Sequence, residues 1–177
     1  MGFNLNNLIP CNFSKMIYKF LSSLVILSFS LNLTASPDLK RINLIVSDLD
    51  QSLVIYRDVI GMEVFEIKES EKGSYAYKVF NLPKDAEMRY ASLNIGSKTR
   101  GFSLTEIKNA VLPSLDGIKM TTAVIQVQGL REIYNQIVDL NLHTTAIDED
   151  TTPEGVTFAE FSFTDYDGHL VVLYELK

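Results

Sequence analysis

The chain has 177 residues, a formal net charge of −6 at pH 7, 46% apolar residues and 21% charged ones. That length suits one well-packed domain and is short for two. The acidic balance lacks the basic footprint that nucleic-acid binding requires, so no nucleic-acid partner is expected.

The first thirty-five residues stand apart. Lys15 and Lys19 lead into an apolar run from Phe20 to Leu33, and the small residues Thr34, Ala35 and Ser36 follow. This is the layout of a secretory signal peptide. The run is shorter than the ~20 residues that a spanning helix needs. Residues 1–35 are therefore read as a cleaved leader, with Met16 as an alternative start. The expected location is periplasmic or secreted, the alternative being an uncleaved membrane anchor. In either case only this segment meets a membrane. Cleavage removes two lysines and no acid, which takes the formal charge from −6 to −8. It also removes Cys11, the sole cysteine, so the domain 36–177 has no disulfide, thiol nucleophile or thiolate ligand. The glycosylation-like tripeptides "NFS" and "NLT" fall in the same segment.

Beyond the leader, "INLIV" (Ile42 to Val46) predicts a strand and "SDLD" a helix start, with Ser47 or Asp48 as cap and Asp50 in the first turn. Leu49, Leu53, Tyr56 and Ile60 line one helix face, and Gly61 supplies the stop. "MEVFEI" predicts a second strand. The stretch "SYAYKVFNLPKDAEMRYASLNIGSKTRGFSLTEI" predicts two or three more, with "NLPKDA" and "NIGSKTRG" as turns. The charged runs "EIKESEK" and "IDEDTTPE" read as solvated loops.

The pattern then restarts. Thr122 to Val127 predicts a strand, and Leu130, Ile133, Tyr134, Ile137 and Leu140 mark a helix face. "NLHTTAI", "VTFAEFSF" and "HLVVLYEL" predict strands, with "TDYDG" as a tight turn. Val46 and Val127 are eighty-one residues apart, as are Leu49 and Leu130, which marks an internal repeat. Each copy would pack its helix on one sheet face and leave the other free. Two half-sheets joined through those free faces would make a cup for a ligand.

"RINLIVSDLDQSLVIYRDVIGMEVFE", "VFNLPKDAEMRYASLNIG" and "EFSFTDYDGHLVVLYEL" together resemble the vicinal oxygen chelate superfamily, over about Leu39 to Leu176. That group includes glyoxalase I, bleomycin- and fosfomycin-resistance proteins, methylmalonyl-CoA epimerase and extradiol dioxygenases. The resemblance implies an α+β fold of two tandem β-α-β-β-β modules, about 39–108 and 119–177, whose sheets form a cup. It also implies a divalent metal held by side chains from the first and last strands of each module. Those positions here hold Arg41, Ser103, Thr122 and Val172. A guanidinium has no lone pair to give, valine has no donor atom, and two hydroxyls do not make a zinc-type site. Shifting each strand by one or two residues brings in no His, Asp, Glu or Cys. No metal cofactor is expected.

Strand alternation turns Arg41, Asn43 and Ile45 into the cup, together with Ser103, Thr122, Gln126, Leu170, Val172 and Tyr174. That is an apolar hollow with a few hydrogen-bonding groups. Arg41 could hold a ligand carboxylate there, or begin an edge strand with its head in water. His143 and His169, the only histidines, read as surface or turn residues. Glu106 and Glu175 have the opposite parity and read as solvated strand-end charges. Asp48, Asp50 and Asp165 read as cap and turn residues. No catalytic residue is assigned. The leading expectation is an exported, metal-independent protein of the bleomycin-resistance type that binds a small organic molecule. The alternatives are a glyoxalase-, epimerase- or dioxygenase-type enzyme with a displaced or absent metal site, and a structural protein whose cup is filled by its own side chains. The resemblance allows the modules to pair within one chain or across a homodimer.

Overall fold

Asp48 decides where the first helix begins. In the computed structural model, which describes residues 37–113 and 117–177, its Oδ1 accepts the backbone N–H of Gln51 at 3.0 Å, the usual N-cap bond. The leader and Cys11 lie outside the described residues. Before Asp48, the β-branched run forms strand β1 (Ile42–Val46). After it comes helix α1 (Leu49–Leu53), which widens into a π-helical stretch, Val54–Val59. There the Ile60 N–H reaches back five residues to the Ile55 carbonyl at 2.9 Å. The expected face of Leu49, Leu53, Tyr56 and Ile60 is altered as a result. Ile55 and Tyr56 are both fully buried, and Ile60 packs only at the margin of the core. A wider turn lets two successive side chains point inward. Gly61 ends the segment at φ +83°, where a side chain would be strained.

Strands β2 (Glu63–Glu69), β3 (Glu87–Ile95) and β4 (Lys98–Lys108) complete the first sheet, in the order β1-β4-β3-β2 with β1 parallel to β4. The "EIKE" part of the first charged run continues β2 rather than forming a loop. "SYAYKV", expected among the strands, is instead helix α2 (Tyr75–Val79). Tyr77 is the reason. It packs with Ala86, Met88 and Ile107, and its hydroxyl donates to the Ala86 carbonyl at 3.1 Å. Tyr75 and Val79 stay largely exposed.

The second module repeats the plan with strand β5 (Thr122–Gln126), helix α3 (Leu130–Asp139), and strands β6 (His143–Thr144), β7 (Asp148–Thr151), β8 (Thr157–Thr164) and β9 (Leu170–Leu176). The order is β5-β9-β8-β6, with β7 on β8. Part of "IDEDTTPE" therefore belongs to a strand, although all four β7 residues, three of them charged, are exposed. The spacing of eighty-one carries the first residue of α1 onto the first of α3.

One hydrophobic core serves both modules. Val46, Phe102 and Leu104 from the first sheet and Ile125, Phe161 and Leu173 from the second share it with the buried faces of α1 and α3. The widened end of α1 touches α3 directly. Each such side chain contributes about 1.5–3 kcal/mol on burial. The half-sheets are thus joined on their helix side, not through their free faces. The free faces alternate with the core faces and remain available to carry a site. From Leu39 onward the chain forms one compact unit. No helix among the described residues is long and apolar enough to cross a membrane.

Candidate functional site

The register of the first sheet sets a polar row across its free face. Asn43 pairs with Ser103, Ser103 with Ser92, and Ser92 with Glu66. The next row runs Ile45, Thr105, Tyr90 and Lys68. Arg41, one residue before β1, has the parity of Asn43, and its Nη1 donates to Ser103 Oγ at 3.3 Å. Thr105 Oγ1 donates to Asn43 Oδ1 at 2.7 Å. Above this floor α2 and Phe80 form a roof, and a hollow of ≈ 620 Å³ lies between. That is within the usual size of a small-molecule site.

Arg41, Asn43 and Ser103 therefore meet in one hollow. Thr122, Gln126, Val172 and Tyr174 do not line it. They share the corresponding face of the second sheet, where Val124 pairs with Val172 and Gln126 with Tyr174. Thr122 and Gln126 are exposed, Val172 and Tyr174 half-buried, and the Tyr174 hydroxyl donates to Gln126 Oε1 at 3.3 Å. The expected set thus divides between the two sheets. Sequence reasoning missed Ser92, Tyr90, Glu66 and Arg100, which also line the hollow. The signal was the alternation Met88, Tyr90, Ser92 in "EMRYASLNI", readable once β3 is paired with β4.

Several ionisable groups have structural work elsewhere. Glu106 is not solvated: it is 4% exposed. It accepts the Leu49 N–H at the start of α1 at 2.9 Å and pairs with Arg89 at 3.1 Å. Burial pushes its carboxyl up, but the hydrogen bonds from Arg89 and Leu49 and the charges of Arg89 and Lys108 prevail and hold it below the ordinary value. Glu175 likewise meets a helix start in the second module, accepting the Gly129 N–H at 2.6 Å and the Leu130 N–H at 3.4 Å. Each carboxylate lies three residues past a cup-facing position, so strand alternation turns it to the helix side. There it meets the free N–H groups of a helix start.

Asp165 is a turn residue, as expected. Its Oδ1 accepts the N–H groups of Asp167 and His169 at 3.1 and 2.8 Å. Its Oδ2 also accepts the Tyr56 hydroxyl of the other module at 2.8 Å. Burial pushes its carboxyl up. His169 lies at the module junction, its Nε2 2.7 Å from the Ile45 carbonyl. His143 is exposed on β6.

A family-type metal does not fit these residues. Arg41 and Ser103 lie side by side, so a fixed cation already stands at the first module's pair of positions. Val172 and Thr122 offer one hydroxyl between them. Among the described residues, no group of three His, Cys, Asp or Glu side chains could hold a metal ion.

Two further hollows are built differently. One of ≈ 610 Å³ beside Arg89 and Glu106 is lined by charges paired with each other: Arg89 with Asp50 and Glu106, Lys72 with Glu87. One of ≈ 890 Å³ lies between Phe80–Pro83 and the 164–169 turn. There the carboxylates of Asp165 and Asp167 and the His169 ring hold the turn and the module junction.

Among solved structures, a glyoxalase family protein from Bacillus cereus aligns with a TM-score of 0.63 at 12% identity, over 81% of this chain and 98% of that one. A glyoxylase/bleomycin resistance protein/dioxygenase domain from Frankia sp. aligns at 0.53 and 13% identity, over 81% and 100%. A fosfomycin resistance protein from Listeria monocytogenes, solved with manganese(II) and sulfate, aligns at 0.50 and 19% identity, over 79% and 93%. These likenesses concern the fold. No curated protein sequence matched the chain. Residues 38–173 match the family model of the Glyoxalase/Bleomycin resistance protein/Dioxygenase superfamily. With its two modules, each a strand, a helix and a further run of strands, and their shared core, this chain belongs to that superfamily, the vicinal oxygen chelate group.

Proposed function

We propose that this chain is an exported, metal-independent binding protein of the superfamily, closest in character to its bleomycin-resistance branch. Its ligand would be a small organic molecule held in the hollow of the first sheet. The observation that carries this reading is the Arg41–Ser103 contact, 3.3 Å long. A guanidinium stands where a relative with a metal would place two ligands, and it can bind a ligand but cannot coordinate an ion. Export rests on the Lys15–Lys19, Phe20–Leu33 and Thr34-Ala35-Ser36 layout.

Metal content tests the reading. The protein recovered from cells expressing the full chain is dialysed against zinc, nickel, manganese(II) and iron(II) in turn. No metal is expected at stoichiometric level, and a chemically diverse panel of small molecules should include compounds that raise the melting temperature. Stoichiometric retention of any of the four metals would overturn it. Mass spectrometry of the product from each cell fraction tests export. The expected species starts near Ser36 and lies outside the cytoplasm; an intact N-terminus found only inside the cell argues against it.

A further inference from the structure

The hollow's floor points to the charge of its ligand, an inference that rests on the binding function just proposed. Ser92 is 1% exposed, and its Oγ has no hydrogen-bond partner among the described residues. It lies between Ser103 and Glu66 in the polar row and lines the hollow. A buried hydroxyl without a partner is costly to the fold. Its place beside the most polar part of a cavity is what a ligand-facing group would occupy.

The neighbouring groups are biased the same way. Ser103 Oγ accepts from Arg41, which leaves its own O–H to donate. Asn43 Oδ1 accepts from Thr105, which leaves the amide N–H₂ as its outward end. Arg41 spends only Nη1 on Ser103, and the rest of its planar fork is suited to a carboxylate. The floor therefore offers donors and few free acceptors. Glu66, the acid in the lining, is already paired with Lys68 at 2.7 Å and Arg100 at 3.5 Å.

Charge agrees. Among the described residues, Lys40, Arg41 and Arg100 line the hollow against Glu66, although the chain as a whole carries −6. A cationic hollow in an acidic protein concentrates anions locally. The opposite wall is apolar, with Tyr75, Val79 and Phe80 exposed towards it or its mouth. Such a wall suits a hydrocarbon or aryl body.

We infer that the hollow binds a small organic carboxylate, its oxygens held by Arg41, Ser103 and Ser92 and its apolar body lying against α2 and Phe80. Phenylacetate and hexanoate serve as probes, with phenylacetamide and hexanamide as neutral matches, measured by calorimetry and by shifts of the backbone amide signals. The acids are expected to bind at least about tenfold tighter than the amides, as loss of a charge-assisted contact implies. Arg41→Gln should remove that preference. Ser92→Ala should weaken the acids severalfold and leave the amides unchanged, while the melting temperature of the free protein stays level or rises. A merely structural serine would lower it instead.

The outcomes separate the two readings. Amides that bind as tightly as acids, or an Arg41→Gln variant with undiminished acid binding, overturn the carboxylate assignment and leave a binding protein for neutral molecules. The assignment also fails if no aryl or alkyl acid at millimolar concentration moves the signals of Ser92 and Ser103. Stoichiometric metal retention removes the underlying binding function itself.

Discussion

Glu106 and Asp165 are both buried carboxyls, and their environments push them in opposite directions. Glu106 takes a helix-start N–H and Arg89, so its ionised form is favoured in the folded state. A group with a depressed folded pKa stabilises the fold above its unfolded pKa and loses that contribution as pH falls through the folded value. Glu106→Gln is expected to cost about 2 kcal/mol at pH 7, read from urea midpoints. The gap to the parent should narrow on acidification below the ordinary value of 4.5; a gap constant from neutral pH to acid would contradict the assigned role. For Asp165 the sign reverses. Its raised pKa comes first from burial, so its contribution is full below the unfolded value and is lost as pH rises through the folded one. Asp165→Asn, which keeps an acceptor for the two turn N–H groups, should lie within about 1 kcal/mol of the parent at pH 7. Asp165→Ala should lose on the order of 2–3 kcal/mol, and equal losses for the two variants would sink the argument.

The β3–β4 hairpin shows how tightly one element constrains a residue that looks unremarkable in the sequence. Gly101 has cup-side parity with Ser103, and a Cβ there would meet Ile95 Cγ2 at 2.6 Å and Lys98 at 3.1 Å. Ile95 is β-branched and cannot swing clear cheaply. Gly101→Ala should therefore destabilise by about 1–3 kcal/mol, as a lowered urea midpoint; an unchanged midpoint would mean that the hairpin gives way easily. In α1 the π-helical stretch has a comparable consequence. It brings Tyr56 against Phe102, with ring centroids 5.1 Å apart, and its hydroxyl to Asp165. A regular helix would bury Leu49, Leu53, Tyr56 and Ile60 as a simple stripe, which is what periodicity alone predicts.

Across the whole molecule, the two modules are not independent units. Their helix-side faces share one core, and the junction is fastened by Tyr56 to Asp165, by His169 to the Ile45 carbonyl, and by the Ser47 N–H to Asp167 Oδ1 at 2.9 Å. Thermal unfolding should accordingly be one cooperative transition, with circular dichroism and tyrosine fluorescence coincident. Two separated transitions would show that the junction is weaker than its contacts suggest. The same arrangement leaves the free faces outside the shared core, and on the first sheet α2 covers part of that face through Tyr77, Met88 and Ile107.

Sequence alone determined the repeat, the starts of α1 and α3, the strand parity and the chemistry of Arg41, Ser103, Thr122 and Val172, because each follows from periodicity or from residue type. It also placed Glu106 and Glu175 on the helix side. That Glu106 is buried there, and that both cap a helix, depended on the distance between strand end and helix start. Only the tertiary structure decided that Arg41, Asn43 and Ser103 meet Ser92 in one hollow while Thr122, Gln126, Val172 and Tyr174 lie on another sheet. Alternation tells which face a residue takes, but not which strand lies beside it or how two faces are set in space. Those depend on pairing register and on a core assembled from residues more than a hundred positions apart, such as Tyr56 and Asp165.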